Sequence, residues 1–81
     1  MNCVYVLQSL VADIYYIGYS SDVKKRLAQH NSGQSQYTRQ HMPWKLVYCE
    51  IYQNEKLARD REKQLKRHGQ AWTALKKRAG L

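Results

Sequence analysis

Hydrophobic positions along the chain follow two periods. Cys3 to Leu7 and Ile14 to Tyr19 are dense runs of apolar and aromatic residues, as strands require. Gln8 to Asp13 joins them without a Gly or Pro. Opposed residues of an antiparallel pair share a face. Setting Tyr5 opposite Tyr16 puts Leu7 opposite Ile14 and gathers Cys3, Tyr5, Leu7, Ile14, Tyr16 and Gly18 on one face. Val4, Val6, Tyr15, Ile17 and Tyr19 take the other, and a slip by one residue would separate the two phenols. Trp44 to Tyr52 reads as a third strand, with Val47, Cys49 and Ile51 on one face and Leu46, Tyr48, Glu50 and Tyr52 on the other. Helical spacing begins after Ser20-Ser21-Asp22, which can accept from free backbone N–H groups. It carries the stripe Val23 and Leu27 to about His30, where Asn31-Ser32-Gly33 stops it. Asn54 opens a second helix running to about His68, with Leu57, Ala58 and Leu65 as its apolar residues and Gly69 as its end. Gln70 to Ala79 predicts a third, Trp72 and Leu75 inward and Lys76-Lys77-Arg78 outward. Gly33 to Pro43 is polar and irregular. The order is β-β-α-β-α-α, an α+β chain forming a single domain over residues 1–81.

Charge narrows the function. Fourteen Lys and Arg stand against six Asp and Glu in 81 residues, a formal +8. So strong a field on so small a domain predicts a polyanionic partner, DNA or RNA. The expected contacts are Lys24, Lys25, Arg59, Lys63, Lys66 and Arg67 on the helices, with Tyr37 and Arg39 from the irregular segment. No run approaches the ~20 apolar residues that span a bilayer, and the N-terminus lacks a secretion signature. Cys3 and Cys49, inside strand-like runs, are expected as buried free thiols, which suits a cytoplasmic protein. The chain has neither the Cys/His spacing of a zinc site nor a Gly-rich phosphate loop.

A smaller set of residues could carry chemistry. Tyr5 and Tyr16, if they share a face, set two phenols side by side next to Gly18, where a backbone without a Cβ admits a phosphate. Arg26 and His30, four apart on the first helix, border its apolar stripe. A guanidinium matches phosphate oxygens and can meet charge that builds on phosphorus; a histidine can hold a water or pass a proton near neutral pH. Glu62 falls on the apolar stripe of the second helix among cations. Each has a plainer reading: strand packing for the tyrosines, a strand end for Gly18, a solvated helix residue for Arg26, and an ion pair with Arg59 or Lys66 for Glu62. The sharper reading of Glu62 is a ligand for Mg²⁺ or Mn²⁺. Mg²⁺ keeps several waters and takes few protein oxygens when a substrate phosphate supplies another.

Together these residues resemble the GIY-YIG nuclease family, and more closely its small single-domain bacterial type. Tyr16-Ile17-Gly18 is the YIG motif unchanged. Cys3-Val4-Tyr5 occupies the GIY motif and keeps its tyrosine. Arg26 falls eight after Gly18, His30 lies in Gln29-His30-Asn31, and Tyr37-Thr38-Arg39, Lys45-Leu46-Val47-Tyr48 and Arg61-Glu62-Lys63-Gln64-Leu65-Lys66 follow in order. The resemblance spans about residues 2 to 78. It departs at Cys3, at Gln70, where relatives carry serine, and in having no asparagine after Asn54. It implies a three-stranded antiparallel sheet flanked by helices, and hydrolysis of a phosphodiester with one divalent metal, in DNA repair or processing. By resemblance Glu62 holds the metal, Arg26 stabilises the transition state, and Tyr5 and Tyr16 orient the attacking water, one of them deprotonating it. Nothing resembles the added DNA-recognition domains of larger members, so target choice falls to this domain or to a protein partner. The competing expectation is a nucleic-acid-binding module, or an adaptor of a larger complex, that uses the same basic surface without cleavage.

Overall fold

The computed structural model describes residues 1–81. Three strands, β1 (Asn2–Ser9), β2 (Tyr15–Ser20) and β3 (Trp44–Tyr52), form one sheet in the order β2-β1-β3, both pairs antiparallel. Helix α1 (Val23–Asn31) and a short 3₁₀ turn (Thr38–His41) lie between β2 and β3; α2 (Glu55–Lys66) and α3 (Gln70–Ala79) follow β3. The expected α+β class and element order are those observed.

The central strand explains the unbroken apolar run at the start of the chain. Cys3, Val4, Tyr5, Val6 and Leu7 are all buried, because helices cover both faces of the sheet. Val4, Val6 and Ile17 pack with Ala58 and Leu65 of α2 and Trp72 and Leu75 of α3. On the other face Tyr5, Leu7 and Trp44 pack with Ile14, Tyr16, Val23 and Leu27. Burial of a large apolar side chain contributes about 1.5–3 kcal/mol, so these two layers hold the sheet between them.

The hairpin register differs from the expected one. Tyr5 pairs with Gly18 and Leu7 with Tyr16, two residues from a Tyr5–Tyr16 pair. The physical causes are at both ends. Ser9 N–H donates to Ile14 O, and Ser9 Oγ accepts from the backbone N–H groups of Val11 and Ala12, so the turn closes over four residues without Gly or Pro. A Cβ on Gly18 would stand 2.5 Å from Tyr5 Oη and Cζ, so the Tyr5 ring occupies the space that only glycine leaves open. A shift of two keeps every side chain on its face, and both phenols remain together.

Two further differences concern β3 and α2. The β1–β3 register slips at Val6/Leu7, a bulge that places Val47 as an extra residue. Leu46 thus pairs with Leu7 on the Tyr5 face, while Tyr48, Glu50 and Tyr52 keep the opposite face. Cys49 and Ile51 lie on an edge strand beyond the cover of α1; Cys3 is buried as expected, but Cys49 is exposed. Helix α2 ends at Lys66, and the left-handed residue after it is His68, with φ 57°, while Gly69 caps α3. Leu57 faces solvent rather than the core.

Helix starts and stops otherwise follow the sequence. Asp22 accepts from Lys25 N–H and Asn54 from Leu57 N–H, each cap contributing about 1 kcal/mol. Asn31 does more than end α1. Its side chain accepts from Trp44 N–H at 2.6 Å and donates to Trp44 O at 2.9 Å, fastening the helix end to the start of β3.

Candidate active site

The site assembles on the α1 face of the sheet, at the β2 edge. Tyr5 and Tyr16 stack with ring centroids 6.2 Å apart and 13° between planes. Tyr5 is fully buried; Tyr16, nearer the edge, is half-buried. A hydrogen bond of 3.0 Å joins Tyr5 Oη to His30 Nε2, and His30 Nδ1 stands 2.8 Å from Thr38 Oγ1. Trp44 Nε1–H donates to Thr38 O at 2.8 Å. A chain of contacts thus runs from the 3₁₀ turn through α1 to the central strand.

The electrostatics separate the two tyrosines. Burial pushes the Tyr5 phenol above its ordinary value; the Arg26 guanidinium pulls it back, and Tyr16 and Glu62 add to the rise. Tyr5 therefore stays a protonated phenol at neutral pH. Burial likewise lowers His30, and the Arg26 charge lowers it further, so the imidazole is neutral at pH 7. His30 is 0 % exposed. It holds Tyr5 in place rather than meeting water, and its expected position at the rim of the helix stripe gives way to one inside the core.

Arg26 comes near Tyr5 while donating to Gln29 Oε1 at 2.9 Å. Glu62 reaches the same neighbourhood from α2. Its side chain is 15 % exposed and pairs with Lys66 Nζ at 2.8 Å, and that nitrogen lies 5.9 Å from the Tyr16 ring centroid. The ion pair foreseen for Glu62 is present, and it sits at the site. Helix α2 packs along β1 and β2, so Glu62 and Lys66, one turn apart, lie on its β2 side. Gly18 closes the arrangement from below, in contact with the Tyr5 ring.

The expected nucleic-acid contacts divide among several surfaces. Lys66 and Tyr37 line an open groove of about 300 Å³ beside Tyr16. Lys63 and Arg67 instead line a second groove of about 490 Å³ with Tyr52 and Arg61, on the β3 side of α2. Arg59 pairs with Glu55 at 2.8 Å and lays its guanidinium 4.3 Å from the Tyr19 ring centroid. Lys24, Lys25 and Arg39 are exposed and line neither groove.

Some residues at the site carried no signal in the sequence. Thr38 and Trp44 fix His30, but a threonine in a polar loop and a tryptophan at a strand start have no periodicity to reveal it. Away from the site, Glu50 has a partner that strand alternation does not signal either. Arg61 grips it from α2 with Nε and Nη2, at 2.9 and 3.1 Å, and Tyr48 and Tyr52 donate to it at 2.8 and 2.7 Å. No group of three or more His, Cys, Asp or Glu side chains could hold a metal ion. Glu62 is the carboxylate that acts on Tyr5 at the site.

Known proteins resemble this chain in sequence and in fold. A UPF0213 protein of Streptococcus pneumoniae is 46 % identical over 54 residues, 65 % of this chain and 54 % of the relative. A UPF0213 protein of Clostridium perfringens is 38 % identical over 68 residues, 83 % of this chain and 72 % of the relative. The chain spans about half the length of the pneumococcal relatives it matches. The solution NMR structure of the UPF0213 protein from Bacillus halodurans superposes with a TM-score of 0.53 at 30 % identity, covering 93 % of this chain and 84 % of that one. The family model described as the GIY-YIG catalytic domain matches residues 1–77, and with Tyr5, Tyr16, Gly18, Arg26, His30 and Glu62 all inside that span, the chain belongs to the GIY-YIG domain family.

Proposed function

We propose that this domain is a metal-dependent nuclease that hydrolyses phosphodiester bonds in DNA, using Mg²⁺ or Mn²⁺, in repair or processing. The observation that carries the reading is the meeting of Glu62 and Tyr16 on Lys66, across from the buried Tyr5–His30 pair. Glu62 and Lys66 form an ordinary i,i+4 pair of one helix; its seat against the Tyr16 ring is what brings an acid and a cation to the two phenols.

The residues divide the work. Tyr16, the accessible phenol, orients the attacking water. Tyr5, anchored on His30 and stacked on Tyr16, sets the plane of that ring. As the water oxygen bonds to phosphorus, the bond from phosphorus to the leaving sugar oxygen breaks. The water's proton needs an acceptor and the leaving oxygen a donor. Burial sets Tyr5 aside as acceptor; Tyr16 takes the water's proton as it passes its own phenolic proton to solvent, and solvent protonates the leaving oxygen. Arg26 meets the charge that builds on the phosphoryl oxygens. Gly18 leaves room for the Tyr5 ring and so seats that phenol, rather than admitting a phosphate as its place in the motif led one to expect.

A single protein carboxylate can be enough for an ion that takes most of its ligands from water and substrate. Glu62 would hold such an ion, which would supply positive charge to the phosphate in transit. The free thiols and the want of any helix long and apolar enough to cross a membrane are compatible with a cytoplasmic setting. A protein partner would add target choice.

One observation favours the competing reading of binding without cleavage: Glu62 is already engaged by Lys66. The experiment is cleavage of end-labelled single-stranded, duplex, flapped and branched DNA with Mg²⁺ or with chelator. Metal-dependent products that vanish in Glu62→Gln, with nucleic-acid binding retained, support the nuclease. Wild-type rate in Glu62→Gln would remove the ligand role, and tight binding with no products would leave a binding module.

A further inference from the structure

The groove beside Tyr16 has a use that none of the roles above requires. It is lined by Tyr15, Tyr16, Ile17, Tyr37, Lys66 and His68, and its 300 Å³ matches the small end of sites for compact ligands. Tyr37 is 63 % exposed. Its ring stands steeply inclined to that of Tyr16, centroids 6.1 Å apart and planes at 67°, so the two do not stack face to face. An aromatic ring so placed adds little to the core, since burial is what gives aromatic area its value to folding. His68, the left-handed residue (φ 57°) that ends the α2 segment, lines the same groove. Lys66 places its charge at the junction between groove and site. A flat group with a π-face, joined to a phosphate, satisfies all of these at once.

We propose that the groove seats one unstacked nucleobase next to the phosphate to be cleaved, stacked on Tyr37, so that the domain prefers single-stranded or splayed nucleic acid to intact duplex. Bases inside a duplex spend both faces on their neighbours; only an unstacked base offers one to a protein ring. The proposal rests on the nuclease reading for the position of the phosphate, but its test needs no cleavage.

The test measures binding in chelator by fluorescence anisotropy, with a single-stranded oligonucleotide and a blunt duplex of the same sequence. Base–aromatic stacking is lost on truncation at about 5- to 150-fold in affinity. Tyr37→Ala should show that loss on the single strand and little change on the duplex, while Tyr37→Phe, which keeps the ring, should bind as wild type. A 2-aminopurine in the strand should lose emission with the wild type and Tyr37→Phe and keep it with Tyr37→Ala. DNA and RNA strands run in parallel identify the preferred sugar, and this pattern in either supports the groove. Equal losses on strand and duplex, or equal losses in the Phe and Ala variants, overturn it. The pattern without any cleavage on adding Mg²⁺ supports the groove and sinks the nuclease reading; metal-dependent cleavage indifferent to Tyr37→Ala on every substrate does the reverse.

Discussion

Tyr5 and Tyr16 look alike in the sequence and differ in the structure. Tyr5 Oη is fully buried and bonded to His30, whereas Tyr16 reaches the rim of the groove and shares Lys66 with Glu62. Replacing each with phenylalanine should therefore give different results. Tyr5→Phe leaves His30 Nε2 without its partner in the core, a loss of about 1–3 kcal/mol by the usual penalty for an unpaired buried group. Tyr16→Phe should leave thermal stability near wild type and lower single-turnover cleavage more. Unchanged cleavage in Tyr16→Phe would return that residue to packing. Arg26→Ala should reduce turnover by on the order of 10²-fold with affinity little altered, since a charge used in the transition state shows in kcat; an affinity loss at constant kcat would make Arg26 an ordinary phosphate contact. The tyrosine pair, Gly18 and the Arg26–His30 spacing were legible because strand alternation and helical spacing fix which residues share a face. The depth of His30 was not. Its burial depends on Thr38 and Trp44, which come from a loop and a strand with no regular spacing to His30.

Among the elements, the strands and α3 are legible in the sequence, and the departures from periodicity lie where long-range contacts decide. The hairpin register was set by Ser9 capping its own turn and by the Tyr5 ring over Gly18, neither of which is a periodic signal. The β3 bulge and the clasp of Arg61 on Glu50 are visible only once α2 lies against the sheet. That clasp predicts how the elements come apart in acid. Burial would push the Glu50 carboxyl up, but Arg61, Tyr52 and Tyr48 outweigh it and hold it below its ordinary value. His30 is also lowered, by burial and by Arg26. Both groups thus bind protons more readily in the unfolded chain, so each contributes stability that is complete above its unfolded pKa and lost as pH falls through its folded one. Melts should show a first decline below about pH 6.5, the unfolded histidine value, and a second below about pH 4.3, that of glutamate. Glu50→Gln should flatten the second decline and leave the first. A variant with both declines intact would show that the clasp has no part in acid stability.

For the whole molecule the governing quantity is charge left without a partner. Four ion pairs, Lys56–Asp60, Arg59–Glu55, Arg61–Glu50 and Lys66–Glu62, occupy four of the six acids, and a fifth, Asp22, caps α1. Lys24, Lys25, Arg39, Lys63 and Arg67 have no carboxylate partner, nor does the run Lys76-Lys77-Arg78. The sequence made the excess plain but not its division: Lys66 and Tyr37 border the site, while Lys63 and Arg67 line a groove on the far side of α2. A strand that passes through the site and around α2 would meet both sets. Affinity should then fall steeply with salt, with a log–log slope of about −0.7 per phosphate contact on a single strand and about −0.9 on duplex. Neutralising Lys63 and Arg67 together should lower the slope by between one and two units if the bound strand crosses that groove, while Tyr37→Ala, which removes no charge, should weaken single-strand binding at an unchanged slope. A slope untouched by the double variant would confine the nucleic acid to the Tyr16 side, and a flat profile in the wild type would remove nucleic acid as the partner.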